Sequence, residues 1–326
     1  MSDESPIFIL GMTPRSGTNY LSELLCVHPD CKSPAPLLED YLLHHAHQLA
    51  SYVNSVSGSW QPRWGVDRSH EDQLWCCLGN GLINFLAAHA GAGRLVTKTP
   101  SARNIHYFCR LFPDARLLLL IRDGRAVVES AARSFGVNHD WWMHQWSRAA
   151  RTILDFENSA ASSRCNYRIV RYEALCDNLQ TELPDILMFA GLNSADYDFD
   201  AASDLPVRGS SEQSVPGEHS VDWKPKPKSA DFDPTRRWRH WNRSRHERFN
   251  WIAGRPQVQL GYEMHTYSGQ RLKYFAWNLA MDARWLIAGG FNAMRSGLLT
   301  ARRYVLKGIS SREPDSSSVG HGRSGG

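Results

Sequence analysis

The chain has 326 residues, 42% of them hydrophobic, and its 37 basic and 33 acidic side chains leave a net charge of +4. That length can bury a large core, and so small a charge excess excludes a global nucleic-acid-binding signature. Seven cysteines without a CxxC spacing argue against a structural zinc site and against a disulfide framework; Cys26, Cys31, Cys109, Cys165 and Cys176 read as reduced or buried thiols, and no metal is expected.

The first residues, MSDESP, are acidic and lead straight into an apolar strand. Neither a secretory signal nor a leader anchor is expected, which points to a cytoplasmic protein. Residues 7–18, IFILGMTPRSGT, form a short strand running into a turn that contains Gly11, Pro14, Arg15, Ser16, Gly17 and Thr18; NYLSELL then has a helical pattern. A turn of this kind leaves backbone N–H groups unpaired at a helix start, where they bind phosphate oxygens. Compared with the common phosphate loop GxxxxGK[ST] counted from Gly11, Ser16 occupies the second glycine position and Gly17 the lysine position. The loop lysine is therefore missing. Arg15 instead offers a planar fork for phosphate or sulfate oxygens, and Thr18 a hydroxyl in the first helical turn.

After the turn HPDCKSPAP, the segment EDYLLHHAHQLASYV is predicted as a helix, and DQLWCCLGNGLINFLAAHA as another that leads into the strand RLVTK. Two long insertions thus separate the loop from Lys98 and suit a ligand pocket, with Trp60, Trp64 and Trp75 as candidates to line it. Helices are predicted over 101–112 and 124–134. Between them, LLLLI at 117–121 has the unbroken apolar character of a central parallel strand buried on both faces. It ends in Arg122, Asp123, Gly124 and Arg125. Ligands of open α/β sheets bind beyond the C-terminal ends of strands, so Arg122 and, on the following helix, Ser130 mark a second phosphate position.

HDWWMHQWSRAARTILDFENSA puts Trp142, Trp146 and Ala149 at helical spacing for burial against the sheet, with His139 and His144 as surface or cap residues. NYRIVRY is predicted as a strand and DNLQTELPDILMFAGL as a helix. Residues 193–235, rich in Asp, Ser, Gly and Pro, form a long functional loop or partly disordered cover. TRRWRHWNRSRHERFNWIAG is a basic, tryptophan-rich helix suited to steering an anionic ligand or helping to hold a nucleotide. The charges within residues 270–308 exclude a membrane span. An amphipathic helix or helical pair there suits self-association, packing on the preceding domain, or contact with a membrane surface. The tail after residue 308 is expected to be disordered.

Several of these segments carry a family resemblance. TPRSGTNYLSELLCVHPD at 13–30 resembles the 5′-phosphosulfate loop of sulfotransferases that use 3′-phosphoadenylyl sulfate (PAPS), and LLLLIRDGRAVVESAARSF at 117–135 resembles their 3′-phosphate segment. LVTKTPSARN at 95–104, YRIVRYEAL at 167–175 and VRGSS at 207–211 resemble, in turn, the intervening strand with its lysine, a later strand ending in a tyrosine, and a closing loop. The resemblance spans about 7–265. It implies a P-loop-like α/β fold, a three-layer sandwich around a central mostly parallel sheet. It further implies a catalytic domain at 1–265, a helical extension at 266–308 and a tail at 309–326.

By the same resemblance, Arg15, Ser16, Gly17, Thr18, Asn19 and Lys98 hold the 5′ end of the nucleotide. Arg122, Ser130 and Tyr172 hold its 3′-phosphate, while Arg208, Gly209 and Ser210 close over it. Arg15 in the loop points to the branch with a glutamate base. Glu39 is the expected base, with Asp40 and His44 open because the spacing from Arg15 is longer than in the tyrosylprotein group. Lys98 and Arg15 would meet the charge growing on the bridging oxygen. The expected reaction is sulfuryl transfer from PAPS, leaving 3′-phosphoadenosine 5′-phosphate (PAP), to a hydroxyl of a small natural product or lipid-like alcohol. Sugar hydroxyls and protein tyrosines are the next acceptors, and a phosphoryl-transfer enzyme or a noncatalytic nucleotide-binding protein are the other classes.

Overall fold

Alternate residues of the central strands feed two different cores. A computed structural model describes residues 5–208, 224–228 and 232–287. Its strands are β1 (Ile7–Gly11), β2 (Cys31–Lys32), β3 (Arg94–Thr99), β4 (Arg116–Ile121) and β5 (Tyr167–Arg171). The helices are α1 (Thr18–Cys26), α2 (Ala46–Ser57), α3 (Arg68–Ala90), α4 (Phe108–Leu111), α5 (Gly124–Phe135), α6 (His139–Glu157), α7 (Tyr172–Asp177), α8 (Leu179–Ala190), α9 (Phe199–Ser203) and α10 (Arg243–Gln259).

The five strands lie in the order β2-β3-β1-β4-β5, and every pairing is parallel. Phe8 and Leu10 of β1, with Leu117, Leu119 and Ile121 of β4, pack against α2 to α6 and α10. Ile7, Ile9, Leu118 and Leu120 face the other way, against α1 and α7 to α9. This two-sided burial is why β4 is apolar throughout, since neither face of a parallel sheet covered by helices meets water. The architecture is the three-layer α/β sandwich that the sequence predicts. The connection from β1 runs to β2 on one side, while that from β3 crosses β1 to β4 on the other, so a crevice opens at the C-terminal ends of β1 and β4.

Side-chain caps set where several helices begin. Asp123 accepts from the N–H of Arg125 at the start of α5, and Asn138 and Asn242 cap α6 and α10 in the same way, each satisfying an otherwise orphaned donor. The Asn242 cap places the start of the basic helix at Arg243. Residues 235–240 are turns instead of helix, and the Asp233 carboxylate takes the N–H groups of Thr235 and Arg236. Trp142 and Trp146 are buried, as their spacing predicts.

The predicted helix over EDYLLHH does not form. Residues 39–42 are irregular, a 3-10 turn follows at Leu43–His45, and α2 begins at Ala46. The cause is local side-chain competition with helical hydrogen bonds: Asp40 takes the N–H of Leu42, and Tyr41 has a positive φ of 50°. The 101–112 helix is likewise reduced to a 3-10 turn and the four residues of α4, since Ser101 accepts from the N–H of Arg103 and Asn104 is left-handed. Cys109 and Cys165, expected as thiols, are paired as a disulfide across a Cα separation of 5.3 Å. No sequence spacing announces that pair; the fold brings α4 beside the approach to β5.

Two units divide the chain, Met1–Thr266 and Tyr267–Gly326. In the second, residues 271–287 are helical, with Leu272, Leu286 and Ile287 exposed. No helix among the described residues is long and apolar enough to cross a membrane. The expectations for Gly209, Ser210, 288–308 and the tail fall outside the described residues.

Candidate functional site

The loop after β1 is built to expose backbone. A Cβ on Gly11 would come within 2.7 Å of Thr18 Cγ2, and one on Gly17 within 2.3 Å of the Tyr172 ring. Gly17 also has a φ of 100°, a conformation in which glycine carries no steric cost. Its backbone therefore approaches α7 as closely as backbone can, and α1 starts immediately after it at Thr18. Ser16 is fully buried and serves the turn itself: its hydroxyl donates to the carbonyl of Thr13 at 2.7 Å and accepts from the N–H of Thr13 at 3.1 Å.

Arg15, Gly17, Thr18, Asn19, Arg122, Ser130, Tyr172 and Arg208 line one cavity of about 240 Å³ at the C-terminal ends of β1 and β4. Within it, Arg15 Nε donates to Ser130 Oγ at 3.2 Å, and the Arg122 guanidinium lies 4.1 Å from the centre of the Tyr172 ring. Arg122 also donates to the carbonyls of Arg15 at 2.6 Å and Pro234 at 2.5 Å. Its Nε is buried and has no hydrogen-bond partner among the described residues. Burial, then the neighbouring charges of Arg237 and Arg122, push Arg15 down to about 9, so it is still cationic at neutral pH. Guanidiniums whose charge depresses that of Arg15 across a shared cavity make it a place where a polyanion is favoured.

Several cavity residues were not among the candidates named from the sequence. Arg237 was legible only as part of a basic stretch, while Lys228, Phe232 and Glu23 gave no separate signal. Glu23 lies four residues after Asn19 on α1, a spacing that puts both on one helix face and could have flagged it. Its Oε1 is 2.9 Å from Arg208 Nε, and burial raises its pKa against the opposing charges of Arg208 and Lys98.

Lys98 and Glu39 meet at the next strand exit. Lys98 does not line the cavity; its Nζ is 3.9 Å from Glu39 Oε1 and donates to the carbonyl of Leu38 at 2.6 Å. Burial lowers the Lys98 pKa, opposed by Glu39, Asp40 and Glu23. Lys98 thus stands at the neighbouring strand exit, while Arg15 is turned to Ser130 inside the cavity. Glu23 connects the two groups, lining the cavity and acting electrostatically on Lys98.

The two other candidate bases are occupied differently. Asp40 accepts from the hydroxyls of Thr97 at 2.7 Å and Thr99 at 2.8 Å and from the N–H of Leu42 at 2.8 Å. Those bonds fasten the segment to β3. His44 Nδ1 is 2.8 Å from Ser101 Oγ, and burial lowers its pKa. Of the three candidates, Glu39 alone pairs with Lys98. The tryptophans proposed for an acceptor pocket divide: Trp75 is buried and stacks on Tyr107 with centroids 5.3 Å apart, whereas Trp60 lines a separate groove with Arg68 and Arg110.

A family model described as the sulfotransferase family matches residues 6–196. The chain is 26% identical over 197 residues to a protein-tyrosine sulfotransferase of Drosophila melanogaster, a match covering 57% of this chain and 38% of that protein. It is also 26% identical to protein-tyrosine sulfotransferase 2 of Gallus gallus, over 60% of this chain and 53% of that protein. The match thus spans about half the length of these relatives, or less. Among solved structures, the sulfotransferase domain of the Synechococcus PCC 7002 olefin synthase superposes with a TM-score of 0.51 at 22% identity, covering 80% of this chain and 96% of that one.

Proposed function

The chain belongs to the sulfotransferase family, and from that premise we propose that it moves a sulfuryl group from PAPS to a hydroxyl of a small natural product or lipid-like alcohol, with an arginine in the loop and Glu39 as base. The observation that carries this reading is the convergence of Arg15, Arg122, Arg208 and Arg237 on one cavity, with the Glu39–Lys98 pair at the adjoining strand exit. The donor set fits an adenosine bisphosphate: several guanidinium forks for oxyanions, the buried Arg122 Nε awaiting an acceptor, and the aromatic rings of Tyr172 and Phe232 among the walls.

When bound, the nucleotide supplies an activated sulfuryl group on a phosphate leaving group, an electrostatic problem akin to phosphoryl transfer. In this reading Arg15 and the backbone of Gly17, Thr18 and Asn19 grip the 5′ end, with Ser16 holding the turn. Arg122, Ser130 and Tyr172 grip the 3′-phosphate, and Arg208 adds a further cation to the cavity wall. Lys98 neutralises charge that develops on the bridging oxygen, where a fixed cation is worth most. Glu39 accepts the proton of the acceptor hydroxyl, a role worth on the order of 10²- to 10⁴-fold.

A tyrosine hydroxyl on a protein is the second acceptor reading, favoured by the names of the sequence relatives. Calorimetric titration with PAP and with ATP tests the donor: tighter binding of ATP would favour phosphoryl transfer. Transfer of label from PAPS to a panel of alcohols, sugars and tyrosine peptides then tests the reaction. A protein that binds PAP but labels none of them would be a nucleotide-binding module instead.

A further inference from the structure

The two carboxylate oxygens of Glu39 have different neighbours. Oε1 lies 3.9 Å from Lys98 Nζ, while Oε2 accepts a 2.7 Å hydrogen bond from the hydroxyl of Tyr41. Tyr41 reaches it from a left-handed backbone position, φ 50°, which is a genuine outlier for a bulky side chain. The other non-glycine residues of positive φ among those described are Arg15, Asn104 and Gln270. Arg15 is in the loop, and Asn104 donates to the carbonyl of His44 at 2.8 Å. Such strain persists only where the surroundings over-determine it, and it gathers at functional sites.

The surroundings of Tyr41 meet that condition without using its phenol. Its N–H donates to Thr99 Oγ1 at 3.1 Å, and the preceding N–H, of Asp40, donates to the carbonyl of Lys98 at 3.1 Å. The Asp40 carboxylate adds its three bonds to Thr97, Thr99 and Leu42. The turn is thus fastened to the end of β3 by backbone and by Asp40, leaving the phenol to be aimed by a rigid support.

We infer that Tyr41 is a positioning residue: its phenol holds one oxygen of Glu39 so that the other faces Lys98 and the acceptor hydroxyl. The inference rests on Glu39 being the base. Burial, then the hydrogen bond to Glu39 and its charge, raises the phenol's pKa, so the group stays a donor. A donated hydrogen bond holds the carboxylate in one productive rotamer. The charged or titratable groups around Glu39 are Lys98 from β3, and Asp40 and Tyr41 from its own segment. Glu23 of α1 acts through Lys98, and the His44 ring lies 5.8 Å from that of Tyr41.

The test uses the full chain with labelled PAPS and whichever panel acceptor the wild type labels, comparing Tyr41→Phe, Tyr41→Gly and Glu39→Gln. Tyr41→Phe should bind PAP as wild type does and keep its KM for the nucleotide. Its kcat should fall about tenfold, the scale of one hydrogen bond to a charged group, with KM for the acceptor unchanged. Tyr41→Gly, which relaxes the backbone and also lacks the phenol, should show the same loss in kcat. A wild-type kcat in Tyr41→Phe beside an inactive Glu39→Gln would overturn the positioning role while leaving the base intact. A Tyr41→Phe whose loss falls on KM, or whose melting temperature drops with its activity, would overturn it too, by making the phenol merely structural. Full activity in Glu39→Gln would instead remove the base assignment itself.

Discussion

Arg122 at the end of β4 donates to the carbonyl of Arg15 at 2.6 Å, joining residues 107 positions apart in the chain. One guanidinium therefore fixes the backbone of the loop whose own arginine faces the same cavity. Through Pro234 it also holds the segment that carries Arg237, and its Nε is buried without a hydrogen-bond partner among the described residues.

Arg122→Lys should consequently lose far more than charge considerations suggest. A lysine keeps the positive charge but has a single terminal nitrogen and no fork, so it cannot bridge the Arg15 and Pro234 carbonyls and still meet a phosphate. PAP affinity, measured by calorimetry, is expected to fall roughly 10- to 100-fold, the equivalent of about 1.4 to 2.8 kcal/mol. Binding indistinguishable from wild type would remove Arg122 from the nucleotide site.

Gly17→Ala places a methyl where the Tyr172 ring already lies, 2.3 Å from the new carbon, in a backbone conformation of φ 100°. Either the loop or the tyrosine must move, at a cost of roughly 1–3 kcal/mol. Denaturant titration should show that loss, and PAP binding should fall with it because the same backbone lines the cavity. An unchanged denaturation midpoint would mean that the loop adapts without cost.

Much of this site was legible in the residue order because its parts are local. LLLLI followed by Arg122, and the apolar strand followed by Arg15, each place a basic residue at a strand exit, and the fold needs only parallel pairing to bring them together. What escaped was decided by contacts distant in sequence. EDYLLHH has a helical pattern, yet Asp40 finds threonine hydroxyls 57 and 59 positions away, and those bonds replace the helix with the turn that presents Glu39. Glu23 escaped for a related reason, since its pairing with Arg208 crosses from α1 to a distant loop.

Asp40 and Glu39 are adjacent acids with separable roles. Removing the Asp40 carboxylate strands two buried threonine hydroxyls, and Asp40→Ala should lower stability by roughly 1–3 kcal/mol together with activity. Glu39→Gln keeps the shape of a half-buried side chain, so its melting temperature should match wild type while sulfuryl transfer falls 10²-fold or more. Thermal denaturation and labelled-donor assays on the two variants distinguish these outcomes; a stable but inactive Asp40→Asn would move the base to Asp40.

His246 gives the fold a pH dependence separate from the site. The ring is buried between Trp238 and Trp241, with centroids 5.5 Å from each. Burial, then the neighbouring His265 and Arg125, pushes its pKa down to about 4 from 6.5. The unfolded chain therefore takes up a proton near pH 6.5 that the folded chain refuses until about pH 4. Across that window the unfolded state binds more protons, so stability falls as the pH is lowered, by up to about 1.4 kcal/mol per pH unit, and this contribution stops growing below the folded value. Glu129 acts in a different range. Although burial opposes ionisation, hydrogen bonds from His139, Trp241 and Arg133 hold its pKa well below the usual carboxylate range, so its stabilisation is complete above the ordinary carboxylate pKa and is lost only as the pH drops beneath it. Denaturation midpoints measured between pH 7 and pH 4.5 should decline for wild type and flatten for His246→Gln, while the acid collapse below that range persists in both. An equal decline in the variant would show that His246 titrates alike in the folded and unfolded chains.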